Sequence, residues 1–191
     1  FDRTLQKILY EAIASDEDFE YLIEEMREAA CEYFKKLLKS TRDFQSMAVY
    51  LKMWSELLVR LVNDAQQLKD RYEEYIEGDV TYLADCGQFN AAEEIVNLFL
   101  TSKLIASEPN GVIHAYFDGK MGYVKHAAGK YHEALEYDRA AYEKYLSAFG
   151  DEHLDTIYAM IDLAETLREL GRYDEALQFQ QQVFFQLFGQ I

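Results

Sequence analysis

The sequence predicts an all-α fold, a right-handed α-solenoid built from antiparallel helix hairpins. The first observation is a recurring segment: Gly-Lys-Tyr-His-Glu-Ala-Leu at residues 129–135 returns at 171–177 and, more faintly, at 87–93. The glycines follow one another at intervals of 42 residues, and a fixed period of about 20 to 50 residues is typical of a repeat array. The second observation is composition. One proline and nine glycines in 191 residues leave little turn chemistry for a sheet protein.

Each copy of the segment predicts a tight turn between two antiparallel helices. The glycine supplies a left-handed residue that ends the first helix, the aromatic residue fills space between helices, and the alanine allows their backbones to approach. We expect residues 71–191 to hold three repeats, at about 71–112, 113–154 and 155–191. Their first helices are expected at about 71–86, 113–128 and 155–170. Their second helices are expected at about 89–107, 131–149 and 173–188.

The apolar spacing of residues 1–70 predicts a helical N-terminal segment, but this segment does not continue the 42-residue period of the repeats. Apolar spacing predicts a short helix over 2–13 and a longer one that begins near Ser15 and ends near Lys39. A further amphipathic helix is expected from residue 42 to about 66. Asp70, with Glu73 three residues later, is the expected N-cap of the helix after that. A diverged hairpin repeat is one interpretation of this segment.

The net charge and the cysteines limit the partners and the compartment that the sequence predicts. A formal net charge of −16 argues against binding to nucleic acid or to an anionic membrane, and it favours a basic partner. The alternative is a solvated acidic surface without a partner. No apolar run approaches the length of a membrane span, and Cys31 and Cys86 both lie in helical patterns, so we expect a reducing, cytoplasmic location. Because the chain begins at Phe1, we expect an excised piece of a longer protein.

No signature of catalysis, of a metal or of a cofactor is found in the sequence. Phosphate-binding glycine loops, the His-Glu-x-x-His pattern and a nucleophile elbow are all absent. His126 and His132 flank a predicted turn, and a chance pair explains them better than a metal site does. The acidic run at residues 16–18 fits a helix start better than a calcium loop. We therefore predict that the chain is not an enzyme.

The last unit resembles the tetratricopeptide repeat, and within that family the longer variant found in kinesin light chains. The matching segments are 149–156 (Phe-Gly-Asp-Glu-His-Leu-Asp-Thr), 162–164 (Asp-Leu-Ala) and 171–176 (Gly-Arg-Tyr-Asp-Glu-Ala). They resemble the family's Gly-acidic-His-Pro-Asp linker, its Asn-Leu-Ala segment and its Gly-x-Tyr-x-x-Ala turn. The 42-residue period matches this variant better than the standard repeat of about 34 residues. The resemblance implies an adaptor that binds a protein or peptide.

The sequence also departs from the family at several positions. Leu154 stands where the family has proline, and Asp162 stands where it has asparagine. In the middle unit Gly122 occupies the small-residue position, whereas Asp118 and Lys125 replace larger apolar residues. Partner specificity therefore does not carry over from the family.

Stacked hairpins place the first helices of successive units along a concave side. If Gly122 and Ala164 face the neighbouring helix, other positions of these helices face the groove. We expect the partner to contact Tyr116, Lys120, Tyr123, His126, Tyr158, Ile161, Asp162, Glu165 and Arg168. Further groove positions are Glu74, Glu77, Thr81, Asp85 and Gly119. Tyrosines beside carboxylates suit an extended peptide that carries lysine or arginine, and a merely solvated helix face is the alternative.

Two functions remain open from the sequence. The first is a scaffold or adaptor that binds a peptide or protein on the concave face. The second is a regulatory or oligomerisation domain of a larger protein or enzyme. The apolar last helix, with Phe184, Phe185, Leu187 and Phe188, lacks the polar outer face of a terminal repeat. It predicts either a further repeat or a homodimer contact.

Overall fold

The structure, a computed structural model, describes residues 44–62 and 64–189. The helices predicted within residues 2–39, the cap near Ser15 and Cys31 lie outside the described residues. Every regular element in the described ranges is a helix, which confirms the predicted all-α class. In chain order these are α1 (Phe44–Leu61), α2 (Ala65–Tyr75), α3 (Glu77–Asp85), α4 (Phe89–Leu100), α5 (Lys103–Ala106), α6 (Val112–Ala127), α7 (Tyr131–Phe149), α8 (Leu154–Glu169) and α9 (Tyr173–Phe188).

The helices from α3 onward pair into hairpins that stack in chain order. The hairpins are α3 with α4, α6 with α7 and α8 with α9. Helix α6 also packs against α4 and α3 of the preceding hairpin, and α8 packs against α7 and α6. Each hairpin therefore buries its apolar face against its neighbour, which is the arrangement of an α-solenoid. The described residues from Tyr50 onward belong to one compact unit.

The turn within each hairpin has the geometry that its glycine predicts. Gly87, Gly129 and Gly171 have φ values of 79°, 71° and 74°, which lie in the left-handed region that glycine adopts without strain. The residue after each glycine donates its N–H to the carbonyl five residues back, at 2.8 to 2.9 Å. This bond satisfies a carbonyl that the helix end would otherwise leave free.

The alanines of the repeated segment are buried as predicted, whereas its aromatic residues are not all buried. Ala92, Ala134 and Ala176 are all buried, as predicted for close helix contacts. Tyr131 packs edge-on against the His126 ring, with centroids 5.1 Å apart. Tyr173, however, is 67% exposed, so the predicted filling of space between helices is wrong there. No helix in the described part of the chain covers this side of α9.

The first predicted helix of the array, 71–86, is wrong in its bounds. The chain instead forms α2 and α3, which are separated at Ile76, and α2 begins five residues before the expected cap Asp70. Asp64 is the N-cap, because its carboxylate accepts the Gln67 N–H at 2.8 Å. Asp70 lies inside α2, where it accepts a hydrogen bond from the Gln66 amide at 2.7 Å.

The predicted helix 89–107 is likewise interrupted. Helix α4 ends at Leu100, and the Thr101 hydroxyl donates to the Asn97 carbonyl at 2.7 Å. Ser102 then caps the short helix α5 by accepting the Ile105 N–H. Hydroxyl side chains that bond to the local backbone compete with a continuing helix, which explains the break.

An aromatic cluster anchors α6 to the helices before it. The Tyr72 ring of α2 meets Phe99 of α4 and Phe117 of α6 edge-on, with centroids 4.8 and 5.0 Å apart. Phe99 and Phe117 stack at 5.2 Å, and the Tyr116 ring packs against Phe117 at the margin of the cluster. This packing fixes the position of the α6 face that carries Tyr116.

Candidate functional site

A cavity of about 410 Å³ lies on the face that the first helices of the hairpins form. Its walls come from α3, α6 and α8, and its floor comes from the buried residues Asp138, Ala141 and Tyr145 of α7. Five of the residues predicted to contact a partner line it. These are Tyr116, Lys120, Tyr123, Tyr158 and Asp162. The further groove positions Thr81 and Gly119 line it as well.

The other four predicted contact residues do not line the cavity. Ile161 is exposed, and Arg168 forms ion pairs with Glu165 and Glu169 at 3.3 and 3.2 Å. His126 is half-buried against Tyr131, and its Nε2 has no hydrogen-bond partner among the described residues. These side chains therefore extend the same face without belonging to its enclosed part.

Carboxylates of α3 hold the α6 wall of the cavity in place. The Tyr116 hydroxyl donates to Glu77 at 3.0 Å, and the Lys120 ammonium pairs with the same carboxylate. The Tyr123 hydroxyl donates to Asp85 at 2.6 Å. Burial and this hydrogen bond raise the pKa of Tyr123 to about 12, so the phenol keeps its proton and its role as a donor.

The Tyr116 ring is also a platform for cations. The ammonium groups of Lys69 and Lys120 lie 4.5 and 4.8 Å from the ring centroid, within the range of a cation–π interaction. Burial, followed by the Glu77 charge, raises the pKa of Tyr116 well above its ordinary value. The face that carries this ring therefore already attracts cationic side chains of the chain itself.

Asp138 forms the polar part of the floor. It is 3% exposed, and its Oδ2 accepts a hydrogen bond from the Thr166 hydroxyl of α8 at 2.6 Å. Its Oδ1 lies against the backbone of Gly122, where an added Cβ would stand only 2.0 Å from that oxygen. Burial is the main cause that raises the pKa of Asp138 to about 7, and the charges of Asp162 and Glu165 add to it.

The sequence interpretation missed Asp138 because it placed only first helices on the groove side. One signal was available. Ala134, Asp138, Ala141 and Tyr145 follow one another by four, three and four residues, so the aspartate sits in the buried stripe of α7. A carboxylate in such a stripe indicates a partner or a function. Gly122 opposite, where the family has a small residue, was the matching sign.

Two other buried charges of α6 are paired away from the cavity. Asp118 pairs with Lys144 of α7 and with His114, whose Nδ1 is 3.1 Å from the carboxylate. Lys125 pairs with Glu133 of α7 at 2.8 Å and with Glu93 of α4. These pairs explain how charged residues occupy positions where the family has apolar ones. They tie α6 to its neighbours.

The described residues contain no group of three or more His, Cys, Asp or Glu side chains placed to hold a metal ion. Cys86 is a free, half-buried thiol. A search of the same residues finds no helix with the length and hydropathy to cross a membrane.

Comparison with known proteins agrees with the architecture. No curated protein matches the chain. A tetratricopeptide repeat family model matches residues 114–184, which include nearly all of α6, all of α7 and α8, and most of α9. Repeats of this family generally mediate protein–protein interactions and are typically not catalytic. The match supports the tetratricopeptide repeat family for this part of the chain.

Proposed function

We propose that residues 71–191 form three tetratricopeptide-like repeats of the 42-residue, kinesin-light-chain-like variant. In this proposal they bind an extended segment of a protein partner on the face formed by α3, α6 and α8, and the chain acts as an adaptor in the cytoplasm. The observation that carries the proposal is the open cavity on this face, lined by tyrosine rings and carboxylates.

The exposed aromatic residues of the cavity support a binding role. Tyr158 is 61% exposed, and Tyr123 and Ile161 are also exposed on the same face. Tyrosine contributes a large rigid contact area and loses little conformational entropy when a partner binds. An exposed apolar surface in this setting is typical of an interaction site.

The charge of the cavity supports a basic segment as the partner. Three aspartates line it, at positions 138, 155 and 162, against the single ammonium group of Lys120. The whole chain carries a net charge of −16. Such a surface attracts basic segments and speeds their association, an effect that added salt reduces.

A blocking substitution tests this proposal. Gly119 lines the cavity, and a Cβ added there meets no atom within 4 Å. We therefore expect the ring of Gly119→Trp to enter the cavity. Peptides are first selected against the unmodified protein from a library of random 12-residue sequences. We expect Gly119→Trp to weaken their binding by about tenfold or more, since the ring occupies their contact area.

Gly78→Trp is the matched control, because Gly78 also lies in a helix with free space around it but does not line the cavity. Its affinity for the selected peptides should equal that of the unmodified protein. Equal affinities for all three proteins would contradict binding on this face.

The apolar surface of α9 favours oligomerisation as a second candidate function. Phe184, Phe185, Leu187 and Phe188 are all exposed, and Leu177 and Phe185 border a shallow crevice on this helix. In this alternative, two copies of the chain bury the α9 faces against each other. Sedimentation velocity should then show a concentration-dependent dimer that Phe185→Glu disrupts, and a monomer at high concentration would contradict it.

A further inference from the structure

We propose that the cavity takes one cationic side chain, an arginine or a lysine, of the bound segment, with Asp138 as its buried counter-charge and Asp162 at its rim. This deepens the proposed function, on which it rests for the location of the partner, and it assigns a role to a floor residue.

The charges of the cavity are unbalanced in the free protein. Among the described residues that line it, Lys120 is the only lysine or arginine, and its ammonium is held between the Glu77 carboxylate and the Tyr116 ring. Asp162 has no hydrogen bond or ion pair within the described residues. The Lys120 ammonium therefore bonds to α3, although its charge also acts on Asp162. Asp138 and Asp162 form no ion pair with a cation of the described residues, whereas Asp155 lies 3.7 Å from the His153 ring nitrogen.

Asp138 has an acceptor that remains unused. A carboxylate can accept about four hydrogen bonds, yet among the described residues only the Thr166 hydroxyl donates to Asp138, through Oδ2. No group in the described ranges donates a hydrogen bond to Oδ1, although Asp138 is only 3% exposed. A buried carboxylate without a cation or a full set of donors is unfavourable. The N–H groups of a guanidinium or an ammonium would supply what is missing.

Asp138 borders the cavity, and two glycines of α6 shape the space around it. Gly122 allows Oδ1 to lie where a side chain would otherwise stand, since its Cβ would clash with that oxygen. Gly119, one helical turn earlier, leaves the cavity open beside it. If Asp138 served only to bond Thr166, the neutral amide of asparagine would perform the same task.

The tyrosines complete a surface that suits a cation. Tyr123 and Tyr158 line the cavity on opposite helices, α6 and α8. A cation near the face of a tyrosine ring is attracted by the ring's electron distribution, more strongly where water is excluded. The long aliphatic stem of arginine or lysine can also pack on such rings.

Three small probes, of which the arginine and citrulline probes are isosteric, test the inference directly. N-acetyl-arginine amide and N-acetyl-lysine amide carry the proposed charge, whereas N-acetyl-citrulline amide has the shape of the arginine probe without it. Each is titrated into the ¹⁵N-labelled protein while the backbone amide signals of α6 and α8 are followed. We expect saturable shifts near Gly119 and Tyr123 with the cationic probes, and an affinity at least about fivefold weaker for citrulline.

Three variants locate the counter-charge. At pH 8, where the Asp138 carboxyl with its pKa of about 7 is mostly ionised, Asp138→Asn and Asp162→Asn should each weaken binding of the arginine probe by about threefold or more. Glu136→Gln removes the same charge from an exposed position of α7 outside the cavity and should leave the affinity unchanged. If Asp138→Asn loses the dispersed spectrum of a folded protein, Asp162→Asn on the cavity rim still decides the result.

The inference is overturned if citrulline binds as tightly as arginine, or if a folded aspartate variant binds the cationic probes as well as the unmodified protein does. This outcome differs from failure of the proposed function. Selected peptides that bind in a Gly119-dependent way, but without arginine or lysine, would leave the groove proposal intact and reject the cation pocket alone.

Discussion

The contact between Gly122 and Asp138 connects a single residue choice to both packing and the cavity. The carboxylate of α7 reaches the backbone of α6 only because residue 122 has no side chain. The same carboxylate bonds to Thr166 of α8, so one aspartate joins three helices. Its neighbour Gly119 has free space and no such constraint. Two glycines three residues apart therefore have different roles.

Alanine substitutions should separate those roles. Gly122→Ala is expected to lower the free energy of unfolding by about 1–3 kcal/mol, because the new methyl group overpacks the site against Asp138. Gly119→Ala is expected to raise it by about 0.5–1 kcal/mol, because alanine favours a helix interior. Urea denaturation measures both. Adding Asp138→Ala to Gly122→Ala should recover part of the loss, and equal effects at both glycines would contradict the contact.

The raised pKa of Asp138 makes stability depend on pH. Its folded pKa of about 7 exceeds the ordinary value of 3.8, so between these values the folded protein binds the proton that the unfolded chain releases. The contribution of Asp138 to stability is therefore full below about pH 4 and is lost as the pH rises through 7. Asp162 and Glu165 of α8 face the carboxylate and add to this effect.

Asp138→Asn should remove this dependence. The unfolding free energy of the variant minus that of the unmodified protein should increase from pH 5 to pH 8, by on the order of 1–3 kcal/mol. Urea denaturation at both pH values, with Glu136→Gln as the control, measures the difference. Stability curves of Asp138→Asn and the unmodified protein that run parallel over this range would contradict the buried, proton-binding carboxylate.

At the scale of helices, the sequence predicts α6 to α9 within about one residue because their ends depend on a repeated local signal. A glycine with its two hydrogen bonds ends each first helix, and the aromatic residue starts the next. The breaks at Ile76 and at Thr101 have no such pattern. The break at Thr101 is followed by a cap from one side chain, Ser102, and no side chain caps α3 at Ile76. The start of α2 likewise depends on one side chain, Asp64. Periodicity alone does not locate such caps.

The two candidate caps of α2 give a direct comparison. Asp64→Ala should lower the free energy of unfolding by about 0.5–2 kcal/mol, because the Gln67 N–H loses its acceptor. Asp70→Ala should change it by less than about 0.5 kcal/mol, because Asp70 is an exposed residue in the helix interior. Thermal or urea denaturation of the two variants distinguishes the observed helix start from the one expected from sequence. A larger effect at Asp70 would contradict the observed start.

Across the whole molecule, the period of the repeats predicts which residues share one face but not which residues form the floor of its cavity. It places Tyr116, Tyr123 and Tyr158 together on first helices, and the structure brings all three to one cavity. It does not reveal the floor, because the floor residues Asp138, Ala141 and Tyr145 belong to the second helix α7. It also does not reveal that Glu77 already engages Lys120, which depends on a contact between two hairpins.

Photocrosslinking determines whether a partner segment occupies the face formed by α3, α6 and α8. The photoreactive amino acid p-benzoyl-phenylalanine is placed at Tyr158, which lines the cavity and is 61% exposed, or at Tyr173, which lies outside it and is 67% exposed. A library-selected peptide is then bound and irradiated. We expect efficient crosslinking from position 158 and little from position 173. Crosslinking from position 173 alone would contradict it.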